Sequence, residues 1–427
     1  MEDPKLSNQV QQDVIIVGGG LAGLSCGVLL AEAGKSVRIL EATDKVGGRV
    51  RSDVIDGFTL DVGFQVLLTA YPACRQLLNY DALRLRPFDP GALIRQSGQF
   101  TTLADPWRRP SRAIATAFNP VGTLGDKLRI AKLRKVCCSG PLDELYQRPA
   151  KPTEQYLRDF GFTDRIIDQF FRPFLGGVFL DESLAVSSRM LEFVFRMFSS
   201  GDVSVPADGM GAIPRQLAER MPRGSISLQS SVIALDRNQV TLADGTTLLA
   251  RHIVIATESN GASRLLARPE ISTEWNQAST FYYASPRLPE KGKSLILCGD
   301  ETGPVQTATI LSNVAPEYAP SDQTLISVSH ASSAEKQRDL DQLDQETRDQ
   351  LRSWFGDIVS DWRLLQSYQV CFGVPQTQLD PVVQAVRVDC DHPTFVCGDH
   401  RETPSIQGAM QSGIRVAESI LQGDTGA

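Results

Sequence analysis

The sequence predicts an α/β protein: a parallel sheet with an attached β-meander, and a second, α+β domain inserted into it. Three observations carry this reading. An apolar run, Val14-Ile15-Ile16-Val17, passes straight into Gly18-Gly19-Gly20-Leu21-Ala22-Gly23 and is followed by a second apolar run, Val37 to Leu40, closed by Glu41. Alternating runs at Val232 to Leu235, Gln239 to Leu242 and Thr246 to Leu249 surround Ala243-Asp244-Gly245, a hairpin signal, and lead into the apolar His252 to Thr257. Near the C-terminus, Thr394-Phe395-Val396 meets Gly398-Asp399 and then Pro404-Ser405-Ile406-Gln407-Gly408-Ala409, the start of a helix. Strands of one sheet therefore come from both ends and the middle of the chain, so that domain is discontinuous.

The first element reads as a strand buried on both faces that turns into a helix, Leu21 to about Ala33, ended by Gly34. Gly18 permits the turn, Gly20 lets a phosphate reach the backbone, and Gly23 lets helix and strand pack closely. The helix N-terminus at Leu21 and Ala22 directs its amides at phosphate charge. Glu41, with Ala42 beside it, stands where a carboxylate accepts ribose hydroxyls, and its charge argues against a ribose bearing a further phosphate. Next come Gly47-Gly48-Arg49, a turn with a guanidinium suited to a second phosphate, and Gly63-Phe64-Gln65, where the chain can pass close to a flat ring. The helix that begins near Ile406 and Gln407 would direct its amides at a ring carbonyl.

On these separated motifs the chain resembles the superfamily of flavin amine oxidases, protoporphyrinogen oxidases and phytoene desaturases. The resemblance implies non-covalent FAD in a Rossmann-type domain, held by Gly18, Gly20, Gly23, Glu41, Gly48 and Arg49. Gly63, Phe64 and Gln65 would lie beside the flavin ring, and Gly398 and Asp399 at its ribityl or pyrophosphate part. Val232, in Ser231-Val232-Ile233-Ala234-Leu235, matches the family strand whose backbone meets adenine. Cys371 and Cys397 are candidates for a covalent flavin link, but neither lies in a motif that requires one.

The expected FAD-binding segments are residues 10–75, 205–265 and 388–424, and the substrate domain is made of residues 76–204, helical, basic and aromatic, and 266–387. Gly209-Met210-Gly211-Ala212-Ile213-Pro214 imitates half a phosphate loop, yet no apolar strand precedes it; it reads as a turn and a helix started by Pro214. With a single nucleotide fold, electrons are expected to come from the substrate and leave to oxygen or a quinone.

A net charge of −7 gives no reason to expect nucleic acid, and eight cysteines without a paired spacing give none to expect a metal. The polar first twelve residues and the lack of a long apolar run suggest a cytoplasmic protein, free or membrane-associated, or a plastid one if a transit peptide was removed. Residues 105–135 hold eight basic residues (Arg108, Arg109, Arg112, Lys127, Arg129, Lys132, Arg134 and Lys135) against two acids, Asp105 and Asp126. An aromatic run follows: Phe160, Phe162, Phe170, Phe171, Phe174, Phe179, Phe193, Phe195 and Phe198. Two readings stand: a solvated basic helix before core helices, or an apolar tunnel whose basic lip meets anionic lipid headgroups. Arg172 to Phe179 resembles segments of the desaturase-like branch. In the second insertion, Ser332-Ser333-Ala334-Glu335 reads as a capping box before an amphipathic helix with Leu340, Leu343, Leu351 and Trp354 on one side, backing a sheet.

No catalytic acid or base announces itself; His400, beside Asp399, reads as structural. Amine oxidases of the family place an aromatic ring just before the C-terminal Gly-Ala, where this chain has Ser405, as plant-type phytoene desaturases do. This favours dehydrogenation of a large hydrophobic molecule such as a carotenoid. The alternatives are an amine oxidase releasing hydrogen peroxide, with paired aromatics such as Trp362 and Tyr368, and a redox-neutral flavin isomerase.

Overall fold

The computed structural model describes residues 12–332, 339–376, 387–388 and 394–425. The strand Gln12–Val17 lies between Val37–Leu40 and Thr247–Ile255, all parallel, with Ile226–Ser227 and Thr394–Val396 adding parallel partners. Its side chains alternate between two cores: Val14 and Ile16 pack with the helical side, Ile15 and Val17 with the other face. That is why the run is apolar at every position rather than at every second one. The helix Leu21–Glu32 ends at Ala33, and Gly34 takes a left-handed φ of +82°. It packs against the C-terminal helix Ile406–Thr425, where a Cβ on Gly413 would come within 2.2 Å of the Ala22 carbonyl oxygen. Only glycine allows that approach.

The meander is built differently from the sequence expectation. The third meander strand and the following buried strand are one element, Thr247–Ile255. Its first half pairs antiparallel with Gln239–Leu242, and its second half pairs parallel with Thr394–Val396. Arg251 and His252, polar residues in the middle, made one strand look like two. The Gly209 turn leads to a helix that starts at Ala212, two residues before Pro214.

A second seven-stranded sheet runs in the order Arg363–Pro375, Trp275–Ser285, Thr324–Ser332, Thr307–Ile310, Leu295–Cys298, Gly91–Gln96 and Gln99–Ala104. The last two strands form a hairpin in a segment expected to be helical. Its turn places Ser97 at φ +48° and Gly98 at φ +74°, two positive values in succession, as a tight hairpin turn requires. One face of the sheet, with Phe281, Tyr283, Ile296 and Val328, packs on Leu343, Leu351 and Trp354 of the helix Leu340–Phe355. That helix backs the sheet as expected, but Asp339 caps it; the expected capping box runs into residues 333–338, outside the described residues.

Asp61 ties the parts together. Its carboxylate accepts hydrogen bonds from Ser52 Oγ (2.5 Å), the Met210 amide (2.9 Å) and the Tyr318 hydroxyl (2.9 Å), and its carbonyl accepts one from the Tyr282 hydroxyl (2.9 Å). Burial pushes this carboxyl up to about 6 despite those donors.

Candidate functional site

The C-terminal ends of the parallel strands open into one cavity of about 1080 Å³. Gly18, Gly20, Leu21 and Ala22 from the first turn, Glu41 and Ala42 after the second strand, and Gly48 and Arg49 all line it. Gly63, Phe64, Gln65, Val232, Gly398, Asp399 and Ile406 line it too, although they come from three distant stretches of chain. Two expected residues do not. Gly23 sits behind the turn, where a Cβ would lie 2.1 Å from the Gly18 carbonyl oxygen, so its role is packing. The Gln407 side chain is buried, its oxygen accepting the Ala73 amide at 2.9 Å; the sequence reading concerns its backbone amide at the helix start.

The Glu41 carboxylate is fixed before any ligand arrives. One oxygen accepts the Gly19 amide at 2.7 Å, and the other accepts the amide and hydroxyl of Thr43, both at 2.8 Å. Arg49 pairs with Asp399 through two bonds of 2.8 and 2.6 Å, donates to the Gly373 carbonyl and lies over the Trp275 ring at 4.9 Å. Two residues that the sequence assigns separately to the dinucleotide thus also hold each other. Ser405 caps the C-terminal helix, its hydroxyl accepting the Gly408 amide at 3.0 Å, and lines the cavity at that helix's start.

Sequence reading missed Thr43, Thr257 and Glu258 on the wall. The last two follow the strand Thr247–Ile255, at the edge where ligands of a parallel sheet bind. Their signal was positional.

Beyond Gly63–Gln65 the cavity continues between the second sheet and helices Arg172–Phe179 and Ser188–Ser200. The aromatic run divides. Phe162, Phe171 and Phe193 are core residues, while Phe170, Phe174, Phe179, Phe195 and Phe198 line the cavity. Phe170 stacks on Phe174 with centroids 5.5 Å apart, and Phe198 meets Phe174 edge-on at 5.1 Å. Phe170 itself lies in a π-helical turn, Ile167–Phe171. Trp362 is buried between Tyr283 and Phe355, and Tyr368 donates to Asp53, so neither faces the cavity and the expected amine cage is not formed by them. His400 is buried, and desolvation lowers its pKa to about 4.

The residues fit FAD. Gln65 Nε2 donates to the Arg49 carbonyl at 2.8 Å, while its Oε1 is buried without a partner among the described residues, an acceptor left for a ring or ribityl donor. A Cβ on Gly20 would meet nothing within 4 Å, so open space lies where a pyrophosphate would approach.

Fold and cavity together define a dinucleotide-dependent oxidoreductase with an adjoining substrate chamber. The chain belongs to the flavin-containing amine oxidoreductase family, whose model matches residues 21–421. It is 45% identical over 62 residues to 4,4'-diapolycopene oxygenase from Methylomonas sp, a match covering 14% of this chain and 12% of that protein. It is 46% identical over 56 residues to putrescine oxidase from Kocuria rosea, covering 13% and 12%. These matches thus span about one eighth of the relatives' own length. Among solved structures, a putative protoporphyrinogen oxidase from Exiguobacterium sp. 255-15 superimposes with a TM-score of 0.73 at 17% identity, covering 97% of this chain and all of that one, a likeness of fold.

Proposed function

We propose that the protein is an FAD-dependent dehydrogenase of a large hydrophobic substrate such as a carotenoid or other polyene, with FAD bound non-covalently. The observation that carries this is the continuity of one cavity from the dinucleotide motifs to the Phe170, Phe174 and Phe198 wall. Bound flavin supplies the acceptor for a hydride from a substrate C–H. The protein's part is orientation and exclusion of water: the phenylalanine wall receives an extended apolar chain, and Phe64, edge-on to Phe88, lines the cavity beside the ring segment. Cys371 and Cys397 do not line the cavity, which supports non-covalent binding. Oxygen or a quinone then takes the electrons.

The test is an anaerobic titration of the flavin-loaded protein with polyenes, porphyrinogens and amines. Bleaching of the flavin band by polyenes supports the proposal. Bleaching by amines alone replaces it with amine oxidation, and activity restricted to pre-reduced flavin replaces it with isomerisation.

The same reading puts residues 105–135 against a membrane. No helix of the described residues is long and apolar enough to cross one, so the contact would be peripheral. Three of the eight basic residues are paired from within: Arg108 with Asp202, Arg109 with Asp89 and Arg134 with Asp105. Lys132 and Lys135 stay exposed, and apolar side chains stand outward with them. Phe118 is 86% exposed and Ile114 76%, and Leu124, Leu128 and Trp107 are exposed beside them. On the helix Leu124–Cys137, Leu124 and Leu128 face outward while Lys127, Ile130 and Arg134 line the cavity, so one helix separates the chamber from this surface. Vesicle flotation should therefore show binding that persists in high salt and falls at least about tenfold in Phe118→Ser/Leu128→Ser, since two large apolar side chains contribute roughly 1.5–3 kcal/mol each when buried. Binding abolished by salt alone would return the contact to charge.

A further inference from the structure

The wall of the cavity opposite the phenylalanines is polar at one place. Thr280, Ser329 and Thr307 stand in one register row across three adjacent strands, Thr280 paired with Ser329 and Ser329 with Thr307. All three line the cavity. Strands lie about 4.8 Å apart, so the row spans roughly 10 Å, the size of a functional group with its flanking carbons. It begins at the ring segment: Thr280 Oγ1 accepts the Phe64 amide at 3.2 Å and lies 3.4 Å from Ser329 Oγ. The Thr307 hydroxyl makes no hydrogen bond to any described residue, and its methyl side faces helix Arg172–Phe179, where a Cβ on Gly177 would meet it at 3.2 Å. Beside it, Gln306 Nε2 donates to Glu182, which leaves its carbonyl oxygen as a further acceptor on the cavity wall.

A hydrocarbon laid against this row would cover hydroxyls that water otherwise satisfies, at a cost of about 1–3 kcal/mol for each group left unpaired. The neighbouring wall shows that the fold could have supplied aromatic or aliphatic residues instead. Resting on the dehydrogenase reading above, we infer that the substrate is amphipathic: a long apolar body along the phenylalanines and one oxygen function, a hydroxyl or a carbonyl, held by Ser329 and Thr307 near Phe64. These two side chains then set specificity and register, choosing which C–H along the chain meets the flavin.

The experiment compares lycopene with its monohydroxylated derivative on the flavin-loaded protein, reading both perturbation of the oxidised flavin spectrum, which reports binding, and anaerobic bleaching, which reports reaction. The wild type should favour the hydroxylated probe by about tenfold or more, as a site built to hydrogen-bond a hydroxyl rejects an analogue lacking it. Ser329→Ala/Thr307→Val should collapse that ratio toward one, and Thr307→Ser, which keeps the hydroxyl, should retain it. Equal handling of the probes by the wild type, or a ratio unmoved in the double variant, overturns the inference. Bleaching by lycopene alone leaves the dehydrogenase reading standing and removes this one. Selective binding of the hydroxylated probe without bleaching does the reverse. The wild-type comparison decides the matter even where the double variant does not fold.

Discussion

Gly20→Ala protein should fold and purify without its flavin. Gly20 has φ −74° and ψ 179°, a conformation open to any residue, and an added Cβ would touch no atom within 4 Å. The apoprotein should therefore lose only the difference between glycine and alanine at a helix N-cap, about 1 kcal/mol, which for a chain of this size lowers Tm by no more than about 4 °C. The methyl group would occupy the space through which a pyrophosphate reaches the helix amides, and such overpacking costs roughly 1–3 kcal/mol, a weakening of FAD binding of about 5- to 150-fold. Flavin per protein from the absorbance ratio, together with apoprotein melting, checks both halves. Gly23→Val makes the contrast, since its Cβ would lie 2.1 Å from a backbone oxygen and 3.2 Å from Ala256 and Ile16 side-chain atoms; there both folding and flavin should go. A Gly20→Ala protein with full flavin would remove the turn from the cofactor site.

The pH dependence of stability should change sign between two single variants. Asp61 has its carboxyl raised from 3.8 to about 6 by burial, so the folded state binds this proton more tightly than the unfolded chain. Its contribution to stability is full below about 3.8 and is lost as pH rises through 6, a change of about 3 kcal/mol. His400 is displaced the other way, from 6.5 to about 4, chiefly by desolvation. Its contribution is full above 6.5 and is lost as pH falls through 4, again about 3 kcal/mol. In the wild type the two slopes oppose each other between pH 4 and 6. Relative to wild type, Asp61→Asn should gain stability as pH rises over that window, and His400→Gln should lose it. Asparagine can still accept from Ser52 and the Met210 amide, so Asp61→Asn should be at least as stable as wild type at pH 8. Denaturant unfolding at half-unit steps from pH 4.5 to 8 measures this; difference profiles without opposite slopes would show that these two groups do not titrate with burial as argued.

The distribution of charge and aromatic residues shows where reading the chain stopped short. Arg108, Arg109 and Arg134 look like a free cationic surface in sequence, because Asp202 and Asp89 lie far from them along the chain. Folding brings those carboxylates to these three arginines and leaves a surface where exposed apolar side chains stand beside Lys132 and Lys135. Trp362 and Tyr368 likewise carry no mark of which sheet face they take; one joins the helix-backed core and the other reaches Asp53. The hairpin Gly91–Gln96 and Gln99–Ala104 escapes the sequence reading, which expects this segment to be helical.

By itself the sequence determined the cofactor side of this protein. A glycine turn, an acidic strand end and a capped helix are local arrangements, set by backbone geometry and short-range electrostatics over a few residues, and so they are written contiguously. The chamber was decided only by tertiary structure. Whether Phe171 or Phe170 faces the cavity depends on a single π-helical turn, and the row of Thr280, Ser329 and Thr307 exists only through the register of three strands. Long-range packing fixes both, because strand register and helix rotation are set by the summed burial of many side chains rather than by any neighbour in sequence.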